Sequence, residues 1–426
     1  MKPSTCLVRC LSVSVLCAAL MSPLCSWADA RPEGFAKGVT GGGNATVVRP
    51  ATPDELKTAL CATYDTHGQC SDDTPRVIAL DHTFDFRGSV ISNGSAQVTE
   101  AGCMANACPR GGGQWAIDGA NHFCQSKPPA TVTYDKAGLQ RLKVGSNKTL
   151  IGLGGHAGIQ GMGLFVGGGS HNVIVRNLTL SDINPRVVWG GDALTLDDAD
   201  GVWIDHDTFV RIGRQMVVTG WGSATHVTLS NNEFDGRTPY SATCDGHHYW
   251  VWLFLGHHDT LTLVGNYVHD TSGRAPHSGG MGDADVRAQL VNNVFAHLSY
   301  QGAIMSRTAT SHLLVEGNAF VDVAHPLFND TRQPGTAFAP FTQATGDACR
   351  VAIGRPCVVN QQHLSGDDYR PEDVPALAAF SAYREYLVTP QPAEIALAQV
   401  PAHAGAGHLT ERLTQLRLST SGFAKH

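Results

Sequence analysis

From about residue 144 onward one pattern recurs: a short strand-like piece with alternating apolar and polar residues, then an Asn or Asp, then another apolar residue. NVIVRNLTL (from 172), GVWIDHDTF (201), HVTLSNNEF (226), TLTLVGNYV (260), AQLVNNVF (288) and HLLVEGNAF (312) all carry it. Asn177, Asp207, Asn232, Asn266, Asn293 and Asn318 occupy matching places, about 25–34 residues apart. Such a period belongs to solenoids and propellers, because one repeat is too small to bury its own apolar face and needs a neighbour. A propeller blade requires four strands in about 40 residues, joined by tight hairpins. Each repeat here has two or three very short strands separated by bends, and 47 of the 426 residues are glycine. That describes one turn of a parallel β-helix. Amides matched at one bend can stack between coils and satisfy groups that would otherwise be buried unpaired. Extra residues in a rung become loops on one side, so the longest insertions, around 235–259 and 270–286, are expected to lie near one another.

The two ends differ from this middle. Residues 31–140 hold five cysteines and the irregular GGGQWAIDGANHFC, and read as a segment covering the coil. Residues 331–426, rich in Pro and Ala with patches such as ALAAFSAYREYLV, read as a tail packed on it. Solenoid ends need such caps, so residues 31–426 are expected to be one domain with its motifs in about 100–330. Ahead of it, Lys2 and Arg9 precede an apolar run from Leu11 to Met21, and Ala28-Asp29-Ala30 is a small-x-small cleavage pattern. This predicts a secretory signal over 1–30 and an exported protein, extracellular or periplasmic. Cys25 lacks the small residue expected just ahead of a lipidated cysteine. No later stretch approaches a membrane span, and a net charge of −7 argues against nucleic acid as a partner.

Four of the twelve cysteines fall in the leader. The eight that remain lack the paired CxxC spacing of a zinc site, and an even number in an exported chain points to disulfides, with 105 connectivities open. Cys61–Cys70 and Cys349–Cys357 are neighbours that would close short loops.

Three stretches carry the candidate chemistry: VVWGGDALTLDDADGVWIDH (187–206), VRIGRQMVVTG (210–220) and TSGRAPHSGG (271–280). Stacked coils bring corresponding positions within about 5 Å. Asp192 and Arg214 are 22 residues apart, close to one coil, and Arg274 follows 60 residues later, about two coils on. One aspartate and two arginines are thus expected to line one cleft.

WGGDA, DDADGVWIDH, RIGRQ, YSATCDGHHYW and SGRAP resemble the signature run of the fungal-type pectin lyases, in the pectate lyase superfamily and polysaccharide lyase family 1. VTYDKAG, NKTLIGLG and DINPRVVWGGD extend the likeness over roughly residues 100–330. The resemblance implies an all-β fold, a right-handed single-stranded parallel β-helix. It implies β-elimination on methyl-esterified galacturonan: the C5 proton is removed, the C4–O bond breaks and a 4,5-unsaturated uronate is left. By motif match Arg274 takes the family's catalytic arginine position as Brønsted base, with Asp192 and Arg214 in support. The family pattern also implies that Cys103 joins Cys124 and Cys108 reaches Cys244.

A guanidine can act as base only if it loses its proton, against an ordinary pKa of about 12.5–13.8; nearby cations and burial push in that direction. The conventional alternative keeps Arg274 charged, stabilising the enolate oxygens. Asp197, Asp198, Asp200 and Asp205 look like a calcium cluster, and pectate lyases of the superfamily bind Ca²⁺ beside such aspartates. Calcium takes six to eight oxygens, whereas RIGRQ puts Arg211 and Arg214 where those enzymes carry further acids, so no metal and no other cofactor is expected. His247-His248 and His257-His258 do not converge on an ion either, because neighbours on a strand point to opposite faces. Trp115, Trp189, Trp221, Trp250 and Trp252 gather near the cleft loops, and flat rings suit sugar faces and methyl esters. Trp189, Trp250 and Trp115, with Arg211 and His277, are the expected substrate contacts. The fungal enzymes carry a lysine where His277 stands. The expected partner is pectin and the expected state a monomer. The alternatives are a calcium-dependent pectate lyase and a non-catalytic carbohydrate-binding β-helix.

Overall fold

The computed structural model describes residues 31–409 except 110, 120, 121, 301, 302, 367 and 368; the expected leader, 1–30, and the end of the tail, 410–426, lie outside the described residues. Leu194–Asp197, Ala199–Asp205 and Thr208–Ile212 form one coil, and Val217–Thr219 opens the next with Val217 opposite Leu194. Repetition of this unit builds three parallel sheets. The first has eight strands, from Arg141–Val144 to Leu327–Phe328; the second has ten, from Val47–Val48 to Thr336–Phe338; the third has nine, from Thr83–Asp85 to Gln361–His363. The fold is the expected β-helix.

The coil is longer at both ends than the repeat pattern indicates. Arg76–Leu80 and Thr83–Asp85 already belong to the second and third sheets. The chain then leaves the coil for a separate four-stranded sheet before rejoining it. That sheet pairs Gln97–Met104 antiparallel with Trp115–Ile117 and Pro129–Asp135, and Val187–Val188 joins it in parallel. At the other end Thr336–Phe338 and Gln361–His363 continue the sheets inside what reads as a tail.

Parallel register puts like residues over like. Phe209 and Phe234 stack at 4.8 Å, and Phe295 and Phe320 at 5.1 Å. Val268 lies between these pairs in register, and Trp252 meets Phe234 and Phe295 edge-on on either side of it. Trp252 is therefore core, not cleft.

The amide ladder forms with one shift. Asn232 donates its side-chain N–H to Asn266 Oδ1 at 2.9 Å, Asn266 to Asn293 at 2.9 Å, and Asn293 to Asn318 at 3.0 Å. Asn318 passes it to Asn360 at 3.0 Å, across a gap of 42 residues that hides the period. Asn177 is not a member. The pairing of Arg176 with Asp205 puts Asn177 level with His206, at the left-handed turn residue (φ 58° and 54°), and Leu178 at the ladder place. Asp207 ends the ladder: its Oδ1 accepts from Leu178 N–H, while Oδ2, standing where an asparagine would present a donor, has no partner among the described residues. Burial drives its carboxyl pKa well above the ordinary value.

All four cysteine pairs are formed: Cys61–Cys70, Cys103–Cys124, Cys108–Cys244 and Cys349–Cys357. Cys108–Cys244 spans 136 residues and ties the four-stranded sheet to the long loop of the coil. Loop-closure entropy assigns such a link about 3–5 kcal/mol.

Asp207→Asn is expected to stabilise the protein near pH 8 by about 1–3 kcal/mol, because the amide supplies the missing donor. Asp207 has a raised folded pKa, so its contribution is full below the unfolded carboxyl value of about 3.9 and declines as pH rises. The gain should therefore shrink toward pH 4, which urea unfolding at the two pH values would measure.

Candidate active site

Register positions the site. Leu194 opposite Val217 brings Asp192 level with Gln215; Val217 opposite Trp252 brings Gln215 level with Trp250; Leu253 opposite His277 brings Trp250 level with Arg274. Backbone bonds at the bend fix these steps. Gln215 N–H donates to Asp192 Oδ1 at 2.8 Å, Met216 N–H to Trp250 O at 3.0 Å, and Trp252 N–H to Arg274 O at 2.6 Å. Two coil steps amount to about 10 Å, a span that two arginine side chains can close. Arg274 itself has φ 56° and Trp189 φ 70°, a left-handed backbone that side chains other than glycine seldom adopt. Such outliers persist where surrounding structure forces them, as at binding sites.

Arg214 donates from Nη1 to both oxygens of Asp192, at 3.0 and 3.3 Å, and its guanidinium lies 4.0 Å from the Trp189 ring centre. Arg274 lies 4.7 Å from the ring of Trp250 and 5.4 Å from that of Tyr249. Each arginine thus rests on an aromatic face, an arrangement that favours the charged guanidinium. Burial is the main force pushing the Arg274 pKa below its ordinary value. The Tyr249 oxygen, through its charge interaction and by accepting a hydrogen bond from the guanidinium, opposes it, and the charges of Arg214 and Arg307 add to the lowering. His248, buried and with its pKa pushed down to about 4 by that burial, lies 2.9 Å from Arg214 O and 3.0 Å from Trp250 O. It pins the bend that presents both.

Polar atoms without partners gather here. Trp189 Nε1, Arg214 Nε, the Gln215 amide, Arg274 Nε, His277 Nε2 and Arg307 Nε are buried and have no hydrogen-bond partner among the described residues.

Several expected contacts prove to be elsewhere. Alternation along Trp115–Ile117 turns Ala116 toward Val188 and Trp250 and leaves Trp115 on the opposite face, where Arg186 stacks on it at 3.4 Å. Trp115 is not a wall of this cleft. Arg211 lies on the third sheet, held by Asp182 in two bonds of 2.6 and 2.7 Å, away from Asp192. His277 faces the same side as Arg274 but is buried, and burial first, then Arg274 and Arg307, push its pKa down to about 3. It supplies no positive charge to the bend. Trp250 is 8% exposed and donates its indole N–H to Gln114 Oε1 at 3.1 Å. It is a floor under Arg274 more than an open platform. Trp189 remains half-buried, edge-on to Phe123 at 6.2 Å. Phe123, Tyr249 and Arg307 join the site unannounced. Tyr249 stands inside the GHHYW motif, whereas neither of the others has a sequence signal.

The aspartates read as a calcium cluster do not converge. Asp197 caps Gly222 N–H at 2.7 Å; Asp200 binds Thr225 and His226; Asp205 is buried with Arg176, His206 and Ser230. At Asp192 a guanidinium occupies the place beside the carboxylate. One carboxylate facing cations does not fit calcium, which takes six to eight oxygens.

Asp192→Ala would leave Arg214 partly buried without its counter-charge, since both side chains are only about 15% exposed. Losing one partner of such a pair costs about 3 kcal/mol. Thermal unfolding should show the loss, and Arg214→Met in the same chain should recover most of it.

A family model described as pectate lyase matches residues 116–408. The chain is 41% identical over 386 residues to a probable pectin lyase E of Aspergillus fumigatus, covering 89% of this chain and 95% of that one. It is 39% identical to pectin lyase B of Emericella nidulans, covering 92% and 98%. Among solved structures, a pectate lyase from Paenibacillus sp. 0602 superposes with a TM-score of 0.58 at 16% identity, covering 91% of this chain and 99% of that one. One from Acidovorax avenae subsp citrulli gives 0.53 at 19%, covering 90% and 96%. At such identities these structures speak to the fold alone.

Proposed function

The chain belongs to the pectin lyases of the pectate lyase superfamily, and from that premise we propose that it cleaves methyl-esterified galacturonan by β-elimination without a metal. The observation that carries this reading is the cluster of Asp192, Arg214 and Arg274, with both guanidiniums on aromatic faces. The proton at C5 is a weak acid beside an ester carbonyl, and its removal puts charge on the carbonyl oxygen. Loss of the C4–O4 bond then leaves the 4,5-unsaturated ring. In calcium-dependent chemistry a metal neutralises a carboxylate; here the ester has no charge to neutralise, and fixed guanidinium donors meet the developing enolate. Asp192 orients Arg214 and keeps the patch from excessive positive charge. Arg274, partly buried among cations, stands at the proton transfer itself. Half-buried Trp189 offers a ring to the sugar or its methyl ester. The reading includes export, which four cysteine pairs favour because disulfides persist in oxidising compartments. It also includes action as a monomer.

The test is kinetic. Arg274→Lys and Arg274→Ala should lower kcat on highly esterified pectin at least about 10²-fold with little change in KM, since lysine lacks the planar fork. A kcat within a few-fold of the parent would make Arg274 structural. Turnover should also survive millimolar EDTA, measured as ultraviolet absorbance of the unsaturated product. Loss with chelator and recovery with Ca²⁺ would favour the pectate lyase alternative.

A further inference from the structure

Alternation turns Trp115 away from the cleft, and on that side it carries an arginine. The Arg186 guanidinium lies over the indole, 3.4 Å from the ring centre, and 5.5 Å from the centre of the Tyr240 ring. Both supports are held by the fold. Trp115 N–H donates to Arg186 O at 2.8 Å, and Val187 stands opposite Trp115 in register. Tyr240 precedes Ser241, whose N–H donates to Gly112 O at 2.7 Å, in the loop that Cys108–Cys244 ties down. Arg186 is exposed, and its side chain makes no hydrogen bond or ion pair among the described residues. In this it differs from Arg214 and Arg307, which hold carboxylates, and from Arg274, which holds Tyr249.

The sheet around this arginine is apolar on the same face. Met104 stands directly opposite Trp115 and is 38% exposed, with Val98 and Ile117 half-buried beside it. Glu100 shares the face, but it accepts from Tyr134 Oη at 2.9 Å and stands four residues from Met104, about 13 Å along the strand. A guanidinium laid on aromatic rings keeps its charge. Held there in advance, it gives up less rotamer freedom when a ligand arrives. The ligand that matches its planar fork is a carboxylate, through two parallel charge-assisted bonds. The methyl ester of the same group lacks the charge and has one oxygen capped. A flat apolar surface beside the fork suits the face of a sugar ring. Carboxylate and sugar together describe a uronate.

We propose that Arg186, supported by Trp115 and Tyr240, forms a second polysaccharide site that binds the free carboxylate of an unesterified galacturonate unit, with the sugar on the ledge of Met104 and Ile117; this rests on the reading of the chain as acting on galacturonan. The two sites take opposite forms of one unit: the ester at the arginine bend, the acid on the far face of the four-stranded sheet. A partly esterified polymer carries both forms. Held at Arg186 by an acidic unit, it presents its esterified stretches to the cleft at raised local concentration.

Arg186→Gln removes the charge and keeps a polar side chain. With EDTA present, its affinity for unesterified polygalacturonate, measured by titration calorimetry, should fall at least about ten-fold. KM and kcat on fully methyl-esterified galacturonan should stay within about two-fold of the parent, as expected of separate sites. Arg186→Lys, a point charge without the fork, should fall between the parent and the Gln variant. Equal polygalacturonate affinity in the parent and the Gln variant, or an equal loss on both polymers, overturns the proposal. Polyglutamate that binds the parent as tightly, and loses its hold with the same substitution, marks a site for any carboxylate chain and overturns the uronate assignment. A parent that releases no unsaturated product from the esterified polymer defeats the elimination reading instead, and leaves these affinities as measured.

Discussion

Residue-for-residue register between parallel coils is the constraint on which everything else depends. Each strand is only two to seven residues long in the coil, too short to hold an alignment by itself. The alignment is held instead where slips are costly: in the stacked phenylalanines and in the buried amides from Asn232 to Asn360, each of which loses both donor and acceptor if a coil shifts by one residue. Because the register is rigid, residues separated by 22 or more positions reach one bend with their relative placement fixed. Loops built on such a frame can carry chemistry that needs positions held to a fraction of an ångström.

At that bend the electrostatic problem is to collect cations without losing the fold. Three arginines share the neighbourhood, with carboxylates on Arg214 and Arg307 and a tyrosine on Arg274. Aromatic faces under two of them hold the guanidiniums without neutralising them. The outcome is a partly dry patch rich in donors and poor in carboxylates, suited to an uncharged ester that becomes anionic only as it reacts. Calcium-binding sites have the opposite composition.

Much of this was legible in the sequence, and the exceptions have physical causes. Period and alternation predict the coil, and the spacing of Asp192, Arg214 and Arg274 predicts their meeting. Asn177 matches the ladder in composition but lies one residue out, because a left-handed turn residue and a ladder residue are adjacent and both favour asparagine. Asn360 was hidden by a long insertion. Trp115 was misplaced because motif membership says nothing about which face of a strand a side chain takes, and Arg211 because RIGRQ begins on the third sheet, beside Asp182, before it reaches the bend. His277 faces the expected side, but its charge state follows from burial and from Arg274 and Arg307, which appear only once the coils are stacked. Tyr249 was visible as a letter in a motif, while its contact with Arg274 comes from a different coil.

The most direct measurement is mass spectrometry of the oligosaccharides released from highly methyl-esterified galacturonan by the purified protein. Elimination predicts fragments whose new non-reducing ends are one water lighter than hydrolysis would leave, in parallel with rising ultraviolet absorbance. Fragments that have gained water at the cleaved bond would contradict β-elimination at the arginine bend.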